Sequence, residues 1–323
     1  MRINRRFLYA GVFLVALGAV LVAADLQTLD LRAIQEALRL WPLAVVLVGI
    51  AIVIRRTPAA VPAGLLAAGL PGLVLGGAIA VGPRFITECG DLAAVAPAPD
   101  VRQGTFDGPA SVEIHASCGT ITIGTAAGSG WQLSAANTKG RSAAIEATSR
   151  SLTIEDSDDG RWPSFDAGRD DWQLTLPTSS IRHLMLASNA NDGRVDLAGA
   201  ELDAFELSVN ASRLRLDLTG ASVRELSGKV NFGAVSIELP AGADLIGDLR
   251  VNASELRLCA PAGVGLRVSG RGFAAGFDAD GADRNDLNTT YQTPDYATAS
   301  HHIDLTVNAS FGSVEINPIG GCK

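Results

Sequence analysis

An asparagine that recurs every 21 residues constrains the fold more than any other feature of the sequence. The period is marked by four residues: Asn189, Asn210, Asn231 and Asn252. Valine precedes three of them, and alternating apolar residues follow, as at Leu214, Leu216 and Leu218. Alternation with a period of two is typical of a β-strand that buries one face. Each unit of 21 residues therefore predicts two short strands.

Strands that recur at a fixed interval are expected to pack on the copy before them. The sequence therefore predicts an all-β parallel β-solenoid with about 21 residues per turn. A degenerate copy places Phe273 in the asparagine position, and the pattern returns at Asn308 after an insertion. An earlier copy at residues 114–123 places His115 in the asparagine position. An up-and-down sandwich is the alternative, but it needs evenly spaced hairpin turns, and the Asp-Gly pairs of this sequence are unevenly spaced.

The repeated asparagines are expected to form one column at a corner of the coil. Its predicted members are Asn189, Asn210, Asn231, Asn252 and Asn308. Asparagine tolerates the left-handed backbone region, and its side-chain amide can bond the same residue one turn away. This structural role explains the column without any ligand.

The first 83 residues are rich in Ala, Leu, Val, Ile and Gly and predict a membrane anchor. Three apolar runs predict three helical spans, at about residues 7–24, 38–54 and 59–83. Arginine clusters precede the first span and separate the second from the third. The positive-inside rule then predicts a multi-pass protein of the cell membrane with a cytoplasmic N-terminus and an extracytoplasmic domain at residues 84–323. A cleaved signal peptide in the first run and a re-entrant hairpin in the third are the alternatives.

The charge of the second part restricts its partners. Of the 26 Lys and Arg, seven lie at or before residue 83, and of the 34 Asp and Glu only three do, which leaves 19 bases and 31 acids beyond it. An acidic surface repels nucleic acid and anionic lipid headgroups, which proteins recognise largely through Lys and Arg. The composition therefore excludes nucleic acid as a partner.

All four cysteines follow the last predicted span, as expected for an oxidising compartment. Three pairings are possible. We favour Cys89 with Cys118 and Cys259 with Cys322, because each pair would tie one terminus to the body of the domain.

The sequence offers little chemistry. No HExxH, GxSxG, P-loop or Rossmann glycine pattern is present, so we expect no catalytic residue and no cofactor. One acidic insertion has the oxygen-rich character of a calcium loop, with Asp278, Asp280, Asp283 and Asp286 as weak candidate ligands. A solvated loop explains the same residues, because the glycine and glutamate positions of an EF-hand are missing.

The first part resembles the transmembrane region of LiaI- and LiaF-type bacterial cell-envelope stress proteins. The residues that carry this resemblance are the basic start, Leu40-Trp41-Pro42-Leu43 and the terminal Arg55-Arg56. The domain with the asparagine period looks like the β-solenoid regions of LiaF-type proteins and of the bacterial adhesin family. The resemblance implies a stress-response role in which a sensor histidine kinase or another envelope protein is the partner.

We therefore expect a non-enzymatic, membrane-anchored sensor, regulator or scaffold of the cell envelope that contacts the lipid bilayer and works through protein contacts of its repeat domain. The alternative is a module for surface adhesion or self-association, whose hallmark would be an exposed strand edge. A third hypothesis is an enzyme that acts on cell-wall polysaccharide, which would need paired carboxylates in a cleft.

Overall fold

The computed structural model describes residues 5–25, 46, 49, 64–73, 97–156, 168–272, 275–279, 283–285, 288–318 and 321–322. The chain splits into two compact units, Met1–Ile86 and Thr87–Lys323. The predicted boundary after residue 83 lies outside the described residues and stays a prediction.

The first unit contains helix α1, which spans Arg5–Asp25, and helical residues 64–73. Within the described part of the chain, neither helical segment is long and apolar enough to cross a membrane. This finding contradicts the predicted transmembrane anchor and the multi-pass membrane localisation. Most of the second and third predicted spans, 38–54 and 59–83, lies outside the described residues.

The second unit is built of β-strands. In the described residues these are β1 Asp100–Thr105, β2 Ala110–Ala126, β3 Gly130–Asn137, β4 Ala144–Ala147, β5 Ser151–Glu155, β6 Asp170–Pro177, β7 Ile181–Asp196, β8 Glu201–Asn210, β9 Arg213–Asp217, β10 Ser222–Glu238, β11 Leu245–Cys259, β12 Gly265–Gly272, β13 Ala275–Asp278, β14 Asp283–Asn285, β15 Asn288–Gln292, β16 His302–Ala309 and β17 Gly312–Ile316.

The central strands pair in parallel with the register that the period predicts. Asn189 lies opposite Asn210, Asn210 opposite Asn231, and Asn231 opposite Asn252. We call each such level a rung. Every rung has a first arm before the asparagine and a second arm after it, and the chain changes direction between the two at a corner.

Four of these strands close on themselves. β7 pairs with β8, β8 with β10, β10 with β9, and β9 with β7, and all four pairings are parallel. The ring closes because β7 and β10 each supply both arms of a rung, whereas β8 and β9 supply one arm each. The result is a small barrel-like arrangement.

The predicted fold class, a parallel β-solenoid with a transmembrane anchor, is wrong. Strands at both ends pair antiparallel, as in β1 with β3, β4 with β5 and β12 with β15. The order of the rungs also departs from the order of the chain, because β16 lies between β11 and β12. The physical reason is that only the central segment carries close copies of the unit. The end strands lack them and pair with whichever neighbour covers their edge.

Apolar side chains of the second arms point into the core and stack from one rung to the next. One column is Ile123, Val195, Leu216, Ile237, Leu258 and Ile316. All six are buried. Burying a side chain of this size contributes about 1.5–3 kcal/mol relative to leaving it in water. The alternation that predicts the strands therefore also builds the core.

A disulfide joins Cys259, at the end of β11, to Cys322, near the C-terminus. The predicted presence of a disulfide is therefore confirmed. Cys118 is also disulfide-bonded, while Cys89 lies outside the described residues.

Candidate binding surface

The asparagines form a hydrogen-bonded ladder along the corner. Asn210 Nδ2 donates to Asn189 Oδ1 over 2.9 Å, Asn231 Nδ2 to Asn210 Oδ1 over 2.9 Å, and Asn252 Nδ2 to Asn231 Oδ1 over 2.8 Å. All three bonds run in the same direction, so Asn252 at one end donates without accepting within the ladder. We call these four residues the asparagine ladder.

The corner itself is made by the residue after each asparagine. Ala190, Ala211, Phe232 and Ala253 have φ values of 56°, 51°, 55° and 49°. The sequence pattern assigned left-handed tolerance to the asparagine, whereas the structure places the left-handed residue one position later. The asparagine stays in the strand. Its side-chain amide therefore has the same direction on each rung and can bond the asparagine of the next rung.

A serine two residues after the asparagine completes two of the corners. Ser212 Oγ lies 2.9 Å from the carbonyl oxygen of Asn210, and Ser254 Oγ lies 2.8 Å from that of Asn252. Both hydroxyls are buried and also reach a carbonyl oxygen of an adjacent rung. Satisfying buried polar atoms in this way avoids a desolvation penalty of about 1–3 kcal/mol each. The recurring Asn-Ala-Ser triplet is thus a structural unit of the corner.

Two phenylalanines project from the corner into solvent. Phe232 is 60% exposed and Phe311 is 54% exposed. Ser254 lies opposite both Gly233 and Gly312, so Phe232, Ala253 and Phe311 occupy equivalent positions on three successive rungs. Adjacent strands lie about 4.8 Å apart, which sets the backbones at positions 232 and 311 about 9.5 Å apart along the stack. We call the space they flank, with Ala253 as its floor, the corner slot.

The backbone after each phenylalanine packs closely against the neighbouring rung. A Cβ atom added at Gly312, where φ is +117°, would collide with the carbonyl oxygen of Ser254. A Cβ atom at Gly233 would collide with that of Ser212. Only glycine permits this close approach of neighbouring rungs. The corner slot is therefore held by packed backbone.

A separate feature is the buried carboxyl group of Asp170 at the start of β6. Asp170 is 7% exposed and accepts a hydrogen bond of 2.8 Å from Asn137 Nδ2. Burial raises its pKa from 3.8 to about 7, and the nearby Asp156 adds to this effect, while the bond from Asn137 opposes it. Asp170 therefore changes its protonation state near neutral pH.

A polar cluster holds residues 293–301 against the far end of the stack. Tyr296 Oη and Arg267 Nε both donate to Asp304 Oδ1, over 2.9 and 2.7 Å, and the Arg267 guanidinium lies 4.9 Å from the centroid of the Tyr296 ring. Hydrogen bonding to Asp304 raises the pKa of Arg267, and burial raises that of Tyr296. Each group is engaged by another, which indicates a structural role.

The structure places two predicted column positions differently. Asn308 lies opposite Arg250 and Arg271, and Ser310 lies at the level of Asn252. In the earlier copy Ser117 lies opposite Asn189, whereas His115 lies opposite Ala187.

The calcium candidates are not brought together by the described structure. Asp280 and Asp286 lie outside the described residues, Asp278 is exposed at the end of β13, and Asp283 begins β14. Among the residues that are described, no group of three or more His, Cys, Asp or Glu could hold a metal ion. Calcium binding stays a weak prediction.

Residues 109–240 match the model of a family described as the N-terminal domain of toast_rack, DUF2154. No curated protein matches the sequence.

Several solved structures are similar over 68% of this chain. They include a "putative cell adhesion protein" from Clostridium sporogenes, with 12% identity, a TM-score of 0.44 and 98% of its own chain covered. A "putative adhesin" from Bacteroides fragilis has 10% identity, a TM-score of 0.29 and 96% coverage. A "putative lipid binding protein" from Parabacteroides distasonis has 9% identity, a TM-score of 0.28 and 96% coverage. The LiaI- and LiaF-type part of the resemblance stays a prediction.

Proposed function

We propose that the protein is a non-enzymatic adhesion module that holds another surface at the corner slot. The observation that carries this proposal is the exposure of Phe232 and Phe311. Alanine occupies the same corner position at Ala190, Ala211 and Ala253 with the same left-handed backbone conformation as Phe232. The fold therefore does not require an aromatic residue at position 232, and aromatic side chains are enriched among the residues that carry binding energy at interfaces.

Close packing of the corner supports this function. The asparagine ladder links the rungs on one side of the corner, and Gly233 and Gly312 let the backbones of neighbouring rungs approach closely. Binding to a preformed site avoids the entropy cost of ordering loops and rotamers. Aromatic side chains also add large contact areas with only two rotatable bonds.

The described residues give less support to an enzymatic function than to adhesion. The carboxyl with the shifted pKa, Asp170, is buried and bonded to Asn137, so a substrate cannot reach it in this structure. General acid or base catalysis needs a group within hydrogen-bonding reach of the substrate.

Adhesion can be tested with the full chain immobilised on beads and incubated with intact bacterial envelopes. We expect saturable retention of envelopes, and we expect the double variant Phe232→Ala/Phe311→Ala to lose most of it. Ile246→Ala is the matched control, because Ile246 is 69% exposed but lies on the first arm of β11, away from the corner. Retention by heat-unfolded protein at the same level, or no retention at all, would contradict the proposal.

Self-association is the second candidate, and an exposed strand edge favours it. Among the described strands, β1 pairs only with β3, and its Val101 is 52% exposed. An open edge of this kind can pair with a second copy. Sedimentation of the full chain over a range of concentrations tests this candidate, which predicts a dimer or larger species that Val101→Lys abolishes. A sensor histidine kinase as partner stays a prediction.

A further inference from the structure

We propose that the outer face of the first arms binds an acidic polysaccharide through a row of cationic side chains. The row crosses β10, β11, β16 and β12, on which Lys229, Arg250, Asn308 and Arg271 lie opposite one another in register. The three cations are exposed and follow buried residues in their strands, so they point away from the core. We call these four residues the basic row. It is separate from the corner slot, and the inference goes beyond the proposed adhesion function.

Two of the three cations are available to a ligand. Within the described part of the chain, Lys229 and Arg271 have neither an ion pair nor a side-chain hydrogen bond. Arg250 Nε lies 3.5 Å from Asp248 Oδ1, and more than half of each of these two side chains is exposed. Unpaired Lys and Arg are the side chains that bind carboxylate and phosphate groups.

The charges of the row are not required by the fold. Lys229 lies directly opposite Arg250 on the neighbouring strand, and like charges in this position destabilise a sheet. On the two preceding rungs, Ser208 and Ala187 hold the same position. An uncharged residue is therefore compatible with this place in the stack. An anion bound between the cations would relieve their repulsion.

Two open cavities border the basic row and expose hydroxyl groups to it. The smaller has a volume of about 390 Å³, and its lining includes Ser208, Ser227 and Lys229. The larger has a volume of about 430 Å³, and its lining includes Ser269, Thr290, Thr306, Asn308 and Arg271. Among the described residues, these hydroxyls and the Asn308 carboxamide have no side-chain hydrogen-bonding partner. They can therefore bond the hydroxyl groups of a sugar, which both donate and accept.

Acidic side chains limit the site at one end. Glu206 lies on β8 in the lining of the smaller cavity, beyond the end of the row at Lys229. Glu225 lies four residues before Lys229, about 13 Å away along the strand. Both acids disfavour an anion beyond β10. The ligand would therefore extend from Lys229 toward Arg271.

A second pair of cations lies on the second arms, in less favourable surroundings. Arg194 lies opposite Arg215, and neither has an ion pair among the residues that the structure describes. Two residues further along the same strands, Asp196, Asp217 and Glu238 form a row of carboxylates. The positions two residues before the basic row are Ser227, Asp248, Thr306 and Ser269, of which one is acidic. An anionic chain is therefore repelled less at the basic row.

The charge of the whole domain favours a narrow chain as the ligand. Residues beyond 83 carry 31 acids against 19 bases, so a broad anionic surface such as a bilayer would be repelled. A single polysaccharide chain contacts the row without approaching the acidic remainder. Single-stranded nucleic acid binds largely by stacking its bases on aromatic side chains. Among the described residues, neither cavity is lined by an aromatic side chain.

The test is calorimetric titration of the full chain, at low ionic strength, with hexamers of β-1,4-linked mannuronate and α-1,4-linked galacturonate. The hexamer of β-1,4-linked mannose is the neutral control, because it lacks only the carboxylates of the mannuronate hexamer. We expect at least one uronate hexamer to bind and the mannose hexamer not to bind. Lys229→Gln/Arg271→Gln should weaken uronate binding about tenfold. Arg194→Gln/Arg215→Gln removes the same charge from the second arms and should weaken it less than about twofold.

Thermal melting checks that both double variants keep the fold, since all four side chains are exposed. Binding of neither uronate, equal binding of mannose and mannuronate, or equal weakening by the two double variants overturns the inference. Tighter binding of linear polyphosphate, phosphatidylglycerol vesicles or a thymidine hexanucleotide through Lys229 and Arg271 assigns the row to another anion and also overturns it. Phe232→Ala/Phe311→Ala should bind uronate as the wild type does, which keeps this result independent of the adhesion function.

Discussion

The asparagine ladder makes a quantitative prediction, because its inner and end members lose different numbers of hydrogen bonds. Asn231→Ala removes two ladder bonds, one to Asn210 and one from Asn252, whereas Asn252→Ala removes one. A net hydrogen bond contributes about 0.5–1.5 kcal/mol. We therefore expect the free energy of unfolding to fall by about 2 kcal/mol for Asn231→Ala and by about 1 kcal/mol for Asn252→Ala.

The double variant sharpens this prediction. Asn210→Ala and Asn231→Ala each remove two bonds, but together they remove three, because they share the bond between them. The double variant should therefore be about 1 kcal/mol less destabilised than the sum of the two single variants. Asn308→Ala is the control, since Asn308 lies outside the ladder.

The assay is urea unfolding followed by tryptophan fluorescence. Trp131 and Trp172 are buried in the second unit and report its unfolding. The midpoint should move with an unchanged slope, because the surface exposed on unfolding is unchanged. Equal destabilisation by Asn231→Ala and Asn308→Ala, or strict additivity in the double variant, would refute the idea that the amides stabilise one another.

Three further predictions concern other parts of the second unit. The raised pKa of Asp170 favours its neutral form in the folded state, so its contribution to stability is complete below about pH 4 and is lost as the pH rises through about 7; over that window the loss is at most about 4 kcal/mol. Asp170→Asn should therefore flatten the fall in the free energy of unfolding between pH 5 and pH 8, and an unchanged pH profile would show that burial does not control this carboxyl. The Cys259–Cys322 bond closes a loop with a sequence separation of 63, so Cys259→Ser/Cys322→Ser should cost about 4 kcal/mol in the chain-entropy picture; a midpoint within error of the wild type would refute this. Gly312→Ala should lower the melting temperature by several degrees, because its Cβ would meet the Ser254 carbonyl, whereas Gly242→Ala meets nothing within 4 Å and should change little; equal melting temperatures would show that the corner can relax.

The period of 21 residues predicted the register of the central rungs, because identical residues recur at identical depth in the core. It could not fix the register at the ends. His115 and Ser117 differ by two positions, as do Asn308 and Ser310, and a shift of two residues leaves every side chain on the same face of a strand. The burial pattern is therefore equally satisfied by both registers.

The sequence pattern also did not predict the antiparallel end strands or the position of β16 between β11 and β12. β3 and β15 have no copy in the repeat, and their pairing depends on which edge is open after the central rungs have stacked. The residues between β12 and β16 let the chain return, so that β16 inserts between β11 and β12. Such long-range choices leave no periodic signal.

The candidate site was visible in the sequence but was not recognised from it. Phe232 follows Asn231 at the position where Ala190, Ala211 and Ala253 follow their asparagines. A large residue in a row of alanines was the available signal. Phe311 could not be found in the same way, because the assumed register placed Asn308 in the column and so assigned Phe311 to the second arm.

Adhesion through the corner slot can be measured directly as protection of the slot from a thiol reagent. Ser310→Cys places a thiol beside Phe311, and Ser227→Cys places one on the exposed face of β10, away from the slot. Each variant would be labelled with an impermeant thiol reagent, with and without bound envelopes. We predict that adhesion slows labelling at position 310 and leaves position 227 unchanged. Unchanged labelling at 310, or slowing at 227 alone, would show that the protein is held through another surface.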